Sequence, residues 1–391
     1  MRPSTKLFFA VLLCAFGLAS APAQAPEKPF YLHSGDTVVF YGDSITEQRF
    51  YTFWVEVYTA TRFPKMPVEF FNAGIGGDRV TGGGGGPIDL RLSRDVFPQK
   101  PSVVTIMLGM NDGAYQATTD AIQATYVSGY EHILQSIRDH APDARITLLG
   151  PSPFDDVTRP TRFTGGYNGV MQHFADLDKG LAQKFAGTCI DLNQPVVAAL
   201  QKAQAIDPMM AKLLLPDRVH PDLLAHWVMA EALLKGWNAP AVVSAVTIDG
   251  RAGTALDAQN AAVNQVTKDN RALRWTETEN SLPLAFIRDN ATQDLLLKVS
   301  DIQEQLNQES LRVVNLDPGS YTLTLDETSL GAFQAQELQQ GINLADYQTP
   351  MRRQSQEVGW LIRDRDEAHA IHLRMAIRES SYLLDATNPN Q

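Results

Sequence analysis

From residue 36 to about residue 236, the chain alternates short β-branched runs with longer segments of helical spacing. This alternation is typical of an α/β domain built on a mostly parallel sheet. The runs that predict strands are residues 37–41, 68–71, 102–108, 145–149 and 188–191. Ligands bind beyond the carboxyl ends of such strands, so functional side chains are expected where these runs end.

A chain of 391 residues is longer than one hydrophobic core usually organises. We predict the α/β domain at residues 24–240, a β-rich accessory region at 241–345, and a helix with a tail at 346–391. Strands are predicted at 242–248, 311–314 and 321–325, with the β-rich unit ending near Gly331. Thr349-Pro350 predicts the start of a long helix. Its apolar stripe is expected to pack on another part of the protein and consists of Met351, Val358, Leu361, Ile362, Ala368, Ile371 and Met375. Trp275 and Trp360 could stack on a sugar, but we predict that both are buried.

The N-terminus has the pattern of an export signal. Arg2 and Lys6 precede an apolar run at residues 7–19, and Ala21-Pro22-Ala23 offers a cleavage site. The run is shorter than the roughly 20 apolar residues that a spanning helix needs. We therefore predict that residues 1–23 are removed, that the mature chain has no membrane span, and that it resides in the periplasm or outside the cell.

The charge balance argues against a nucleic-acid partner. Asp and Glu number 44 against 33 Lys and Arg, which gives a formal net charge of −11, whereas binding to a phosphate backbone favours clustered cations.

Cys14 lies in the signal, so Cys189 would have no partner for an intramolecular disulfide in the mature chain. His369 and His372 lack a third ligand nearby in sequence, so no metal and no cofactor are predicted. Asp366 to His369 are expected on a solvated helix face.

Two segments could supply a nucleophile and its base. Gly42-Asp43-Ser44 follows the first predicted strand and would place a hydroxyl at the mouth of the sheet, although an ordinary capped turn has the same sequence. Asp217-Arg218-Val219-His220 can fold so that the carboxylate contacts one ring nitrogen while the other faces a serine. Taken alone, this histidine could equally be a loop residue.

Two further segments could stabilise a developing negative charge. Residues 72–79 are rich in glycine, and their backbone amides could point at an oxyanion, or they could form a flexible loop. Gly109-Met110-Asn111-Asp112 follows the third predicted strand, and its asparagine offers an uncharged amide donor. A helix cap is an equal alternative for this asparagine.

Together, the order Gly-Asp-Ser, Asn-x-Gly-x-x-Gly, Gly-x-Asn-Asp and Asp-x-x-His-Pro resembles the SGNH hydrolase superfamily, the GDSL-like esterases and lipases. The resemblance covers roughly residues 36–238 and implies a flavodoxin-like, three-layer α/β/α fold, here with a C-terminal β-rich and helical appendage. It implies acyl-ester hydrolysis with Ser44 as nucleophile, His220 as base and Asp217 as its orienter. The implied oxyanion-hole donors are Ser44, Gly77 and Asn111.

The resemblance also narrows the expected function. An exported member with an appended β-rich unit suggests removal of short acyl groups, such as acetyl, from carbohydrate, so the substrate is expected to be a small-molecule or polysaccharide ester. A lysophospholipase- or lipase-type esterase is one alternative, and a non-catalytic glycan- or partner-binding module is another. Arg79, Arg91 and Arg94 could contact an acidic sugar, but solvated surface positions are expected. The sequence makes no prediction of oligomeric state.

Overall fold

A computed structural model describes residues 28–269, 272–285 and 290–386. The predicted export signal at residues 1–23 lies outside the described residues, as does the end of the predicted tail. Within the described ranges, no helix is both long enough and apolar enough to cross a membrane.

The α/β domain contains every strand predicted from the sequence, each within a few residues of its expected ends. Its elements are β1 (Asp36–Gly42), α1 (Ser44–Glu47), α2 (Phe50–Arg62), β2 (Val68–Gly74), β3 (Gly82–Gly83), β4 (Gly86–Pro87), α3 (Ile88–Arg91), β5 (Val103–Met107), α4 (Asp120–His140), β6 (Arg145–Gly150), α5 (Gly166–Lys184), β7 (Thr188–Asp191), α6 (Asn193–Ile206), α7 (Pro208–Leu213) and α8 (Leu223–Gly236).

The central sheet is five-stranded and entirely parallel, in the order β2-β1-β5-β6-β7. This is the flavodoxin-like order, in which the direction of winding reverses beside the first strand. Helices α2, α6 and α8 pack together, and α4 packs with α5. Strand β5 is buried at every residue because helical layers cover the sheet on both faces. The predicted three-layer α/β/α fold is confirmed, and its switch point lies where β1 ends.

The C-terminal appendage is also confirmed. It contains β8 (Val242–Asp249), β9 (Thr254–Gln259), β10 (Ala261–Lys268), β11 (Leu273–Glu279), α9 (Asn290–Val299), α10 (Ile302–Leu306), β12 (Gln308–Val314), β13 (Ser320–Leu325), β14 (Thr328–Gln334), α11 (Ala335–Gln340), β15 (Ile342–Asn343) and α12 (Pro350–Ala386). A mixed sheet has the order β15-β12-β8-β9, and β10 with β11 and β13 with β14 form antiparallel pairs. The β-rich unit does not end near Gly331 as predicted, because β14 and β15 continue it to Asn343.

The appendage has its own small core but is tied to the α/β domain. Val246, Ile248, Leu311 and Val313 form the centre of the small core. Side chains from α9, α10 and α12 instead join the main core. The Arg62 guanidinium, at the end of α2, donates hydrogen bonds to three carbonyls of the appendage and its connection, those of Pro240, Val242 and Leu306.

Helix α12 packs back on α2 through part of the predicted stripe. Ile362 is buried and Val358 packs against the main core, whereas Leu361, Ile371 and Met375 are exposed. Arg365 forms an ion pair with the buried Glu56 of α2 at 2.5 Å. The prediction was wrong for the three exposed residues, because a solvated helix can carry scattered apolar residues and only tertiary contacts select the buried face.

The two tryptophans also differ from expectation. Trp360 is 46% exposed on α12, so its predicted burial was wrong. Trp275 is half-buried against the small core, and its indole N–H donates to Glu277 Oε2. Trp275 therefore packs at the edge of the small core.

The small core contains a buried carboxyl group that predicts a pH effect on stability. Glu309 has no solvent exposure, and burial raises its pKa from 4.5 to about 8, with Glu277 adding to the effect and Arg62 opposing it. Between pH 4.5 and 8 the folded state holds a proton that the unfolded state has lost. The free energy of unfolding is therefore expected to fall by up to about 1.4 kcal/mol per pH unit in this window.

Glu309→Gln removes this titration, so it should gain stability relative to the native protein as the pH rises from 5 to 9. Urea denaturation at several pH values measures the difference. Exposed Glu327→Gln is the control and should follow the native pH dependence. Parallel curves for native protein and Glu309→Gln would contradict the assignment.

Candidate active site

Ser44 lies where the sheet topology predicts a ligand site. Strand β1 ends at Gly42, and the Asp43 carboxylate caps α1 by accepting the Ile45 amide hydrogen at 3.0 Å. A side chain at Gly42 would come within 2.2 Å of the Thr46 hydroxyl, so this close turn requires glycine. The turn presents half-buried Ser44 as the first residue of α1 at the carboxyl edge of the sheet.

His220 connects Ser44 to Asp217. Its Nε2 lies 2.9 Å from Ser44 Oγ, and its Nδ1 lies 2.6 Å from Asp217 Oδ2. The other carboxylate oxygen, Oδ1, accepts the amide hydrogens of Val219 and His220 at 2.9 and 2.7 Å. The structure thus brings together three residues that are up to 176 positions apart in the chain.

These contacts favour the carboxylate form of Asp217. Partial burial acts to raise its pKa, but the hydrogen bonds from the His220 amide, the His220 ring and the Val219 amide outweigh it, and the pKa lies below its usual value of 3.8. The Asp217 side chain is 54% exposed. A charged Asp217 fixes the orientation of the imidazole and can stabilise an imidazolium.

Arg218 holds the loop that carries this pair. Its backbone is left-handed, with φ of 78°, which allows the tight turn between Asp217 and His220. The Arg218 guanidinium donates to the carbonyls of Asp155 and Pro160 and lies over the Phe154 ring, 4.8 Å from its centroid. Since His220 is two residues away, these contacts limit the movement of the imidazole.

Gly77 is the glycine of its segment best placed to donate to an oxyanion. The Gly76 amide already donates to Glu47 Oε2 at 2.8 Å, and Gly74 pairs with Gly42 inside the sheet. Gly77 is exposed and has φ of +76°, and no atom lies within 4 Å of the point where a Cβ would stand. This placement agrees with the choice of Gly77, whose role stays a prediction.

Asn111 lies beside the same loop. Its Nδ2 donates to the Asp78 carbonyl at 3.0 Å, and its Oδ1 lies 3.3 Å from the Tyr115 hydroxyl, which can donate to it. A primary amide carries two hydrogens on nitrogen, so one remains for a ligand after the bond to Asp78. The segment that precedes Asn111 is fixed by Tyr126, Tyr130 and Tyr167, whose hydroxyls bond the backbone of Leu108 and Met110.

Arg91 is a buried structural residue. It has no solvent exposure, and Nε donates to Asp78 Oδ2 at 2.6 Å while Nη1 pairs with Asp95. Arg94 also pairs with Asp95 and is 12% exposed at its side chain. The expectation of solvated positions was therefore wrong for Arg91 and Arg94, and it holds for exposed Arg79. An isolated arginine in a sequence does not reveal which carboxylates the fold will place around it.

The sequence motifs did not single out Glu47, Arg218 or Tyr115. Glu47 holds the Gly76 amide, Arg218 anchors the histidine loop, and Tyr115 contacts Asn111. Their proximity to the motifs was the only available signal, since Glu47 follows Ser44 by three residues and Tyr115 follows Asn111 by four. Each acts through a contact that only the folded loops create.

Asp366 departs from the predicted solvated face, because its side chain is only 17% exposed. Glu367 and His369 of the same helix are exposed. The His369 ring stacks on Phe71 with centroids 5.9 Å apart. Among the described residues, no group of three or more His, Cys, Asp or Glu side chains is arranged to hold a metal ion.

The parallel sheet with a hydrogen-bonded serine, histidine and carboxylate at its carboxyl edge defines a hydrolase of ester bonds. Comparison with known proteins agrees. Residues 40–228 match the model of the GDSL-like Lipase/Acylhydrolase family. This match, which covers the α/β domain and just under half of the chain, supports the predicted resemblance to the SGNH hydrolase superfamily.

Individual relatives place the likeness along the chain. An acetylxylan esterase of Geobacillus stearothermophilus is 26% identical over 222 residues, which cover 52% of this chain and 94% of that protein. The solved structure of a gut microbial diltiazem-metabolizing enzyme is 28% identical in sequence, with a TM-score of 0.80. The match covers 93% of this chain and 85% of that enzyme's chain. A lipase/acylhydrolase from Enterococcus faecalis is 19% identical, covers 52% of this chain and 95% of its own, and has a TM-score of 0.37. The 93% coverage shows that the first solved structure shares the appendage as well as the α/β domain.

Proposed function

We propose that the protein is a serine esterase that removes short acyl groups, acetyl in particular, from carbohydrate. Ser44 is the nucleophile, His220 the general base and Asp217 the residue that orients it. The hydrogen bond of 2.9 Å between His220 Nε2 and Ser44 Oγ carries this proposal, because it gives the hydroxyl a proton acceptor already in place.

In the proposed first half-reaction, Ser44 Oγ attacks the acyl carbonyl carbon as His220 Nε2 takes the hydroxyl proton. The carbonyl oxygen becomes an oxyanion, which the amides of Ser44 and Gly77 and the side chain of Asn111 stabilise. The carbon–oxygen bond to the alcohol then breaks, and His220 returns the proton to the departing oxygen. An acyl-serine and a free alcohol result.

In the second half-reaction, water attacks the acyl-serine while His220 removes its proton. The second tetrahedral intermediate collapses, the bond to Ser44 Oγ breaks, and His220 donates the proton to Ser44. The carboxylic acid leaves and the enzyme is regenerated. One ester and one water are consumed for each acid and alcohol released.

The acyl and alcohol parts of the proposed substrate rest on the same observation. The relative named as an acetylxylan esterase supports both acetyl and carbohydrate.

Export of the mature protein stays part of this proposal, on the basis of the N-terminal sequence pattern alone. Sequencing the N-terminus of the protein recovered outside the cytoplasm tests it, and an intact Arg2 there would contradict cleavage.

The function is tested with 4-nitrophenyl esters from acetyl to decanoyl, followed by acetylated xylo-oligosaccharides. We expect acetyl esters to be preferred and acetate to be released from the oligosaccharide. Rates that rise with chain length would favour the lysophospholipase- or lipase-type alternative. Negligible rates, equal in the native protein and Ser44→Ala, would favour the binding-module alternative.

Asn111→Ala tests the oxyanion site. Loss of one oxyanion donor costs about 10²- to 10³-fold in kcat, because the interaction strengthens only as negative charge develops. Steady-state kinetics with 4-nitrophenyl acetate measures the change, and Asn168→Ala, in α5, is the control. A higher KM with unchanged kcat would show that Asn111 binds the ground state instead.

A further inference from the structure

A cleft lies between the α/β domain and the appendage. Its lining residues include Gln48 and Leu223, which are close in sequence to Ser44 and His220, but neither Ser44 nor His220 itself. It has a volume of about 470 Å³, which is in the range of small-molecule sites. Helices α2 and α8 form its floor, and α9 and α12 form its walls. The catalytic mechanism above does not use this cleft.

The floor of the cleft is apolar. Trp54 and Trp227 stack with their ring centroids 3.8 Å apart, and each is at most 5% exposed. Leu224 and Leu296 are also buried, while Phe50 is 36% exposed and lines the cleft. Such a surface favours a flat, apolar group over a hydroxyl-rich one, because it offers few hydrogen-bonding partners.

The charged residues that line the cleft are Arg49 of the α/β domain and Arg363, Asp366 and Glu367 of α12. Arg363 and Glu367 of α12 have side chains that are 54% and 72% exposed. The ion pair between Arg365 and Glu56 fixes this part of α12 on α2. A polar wall over an apolar floor allows one end of a ligand to stay hydrated while the other is buried.

Two residues that line the cleft are near the catalytic residues in the chain. Gln48 lines it, and the Gln48 amide donates to the Ser44 carbonyl one helical turn away, about 5 to 6 Å along α1. Leu223 also lines the cleft and follows His220 by three residues. Ser44, His220, Gly77 and Asn111 are not among its lining residues. In the proposed reaction the alcohol departs toward His220, which gives it a proton, so an alcohol that extends past His220 toward Leu223 would reach the cleft.

We infer that this cleft binds an apolar ring system carried by the alcohol part of the substrate; in a sugar acetate, that group is the aglycone. The inference builds on the proposed function and adds the class of alcohol. It also assigns α12 a role, since this helix supplies one wall of the site.

Two acetate esters test the inference: 2-naphthylmethyl acetate and ethyl acetate. The larger ester should have a kcat/KM at least tenfold higher in the native protein, since only its alcohol reaches the cleft. In Phe50→Ala and in Leu223→Ala this ratio should fall by about tenfold, as expected when part of a hydrophobic pocket is lost. Leu256→Ala removes a leucine that is 57% exposed on β9 and should keep the ratio.

Ligand binding to a variant that cannot react tests the cleft proposal independently of the esterase proposal. Calorimetry should show that 2-naphthylmethanol binds Ser44→Ala and that Phe50→Ala, added to this variant, weakens binding by about tenfold. Ser44-dependent hydrolysis with a ratio near one and no alcohol binding would overturn the cleft assignment and leave the esterase function intact. A ratio that is high but unchanged in both cleft variants would also overturn it. If neither ester is hydrolysed, the proposed function fails for these substrates, and the calorimetry alone decides whether the cleft binds the ring system.

Discussion

Ser44→Ala is expected to lower kcat for 4-nitrophenyl acetate by about 10⁴- to 10⁶-fold, which is the scale of nucleophile removal in serine hydrolases. Without Oγ, no acyl-enzyme can form, and His220 has no hydroxyl to deprotonate. The fold should persist, because alanine is compatible with the first turn of α1 and Ser44 is half-buried. Burst kinetics and circular dichroism measure the two parts of this expectation.

A second substitution sharpens the test. His220→Ala in the Ser44→Ala background should cost little more, because residues that act as a unit are strongly non-additive. Ser128→Ala, at an exposed serine of α4, is the matched control and should retain native activity. Less than a tenfold loss in Ser44→Ala would contradict its assignment as nucleophile.

Arg91→Met is expected to destabilise the protein by about 3 to 5 kcal/mol, because it leaves a buried carboxylate without its cation. Burial already raises the pKa of Asp78 despite the Arg91 guanidinium beside it. Without this guanidinium Asp78 would have to be charged at still greater cost or take up a proton. Asp78 directly follows Gly77, so kcat should fall as well.

Urea denaturation at pH 7 measures the loss, and two variants test its cause. Arg274→Met removes a 65% exposed arginine that pairs with Asp269, and such a surface pair contributes at most about 1 kcal/mol. Asp78→Asn added to Arg91→Met should recover part of the stability, since the unpaired charge is then absent. A loss below about 1 kcal/mol in Arg91→Met, or no recovery in the double variant, would contradict the ion-pair explanation.

The sequence alone determined the parts of this protein that depend on local chemistry. Periodicity and strand-end residues predicted the strands of the sheet. The two residues between Asp217 and His220 allow the turn that brings the carboxylate within 2.6 Å of the imidazole, as the spacing predicted. Gly42-Asp43-Ser44 likewise placed a hydroxyl at the end of β1. These features follow from backbone preferences and from contacts only a few residues apart, so they can be read from short stretches of chain.

Tertiary structure alone decided which side chains are buried and what surrounds them. Arg91 is enclosed by the carboxylates of Asp78 and Asp95, and Trp360 is exposed on a helix whose other face contacts α2. The cleft floor joins Trp54 to Trp227, 173 positions later in the sequence. Burial is a property of contacts between distant segments, and the same local pattern can face the core or the solvent. The sequence therefore determined the strands and the motif turns. Packing within the α/β domain determined the ion pairs of Arg91, and packing of the appendage on that domain determined the exposed face of α12 and the cleft.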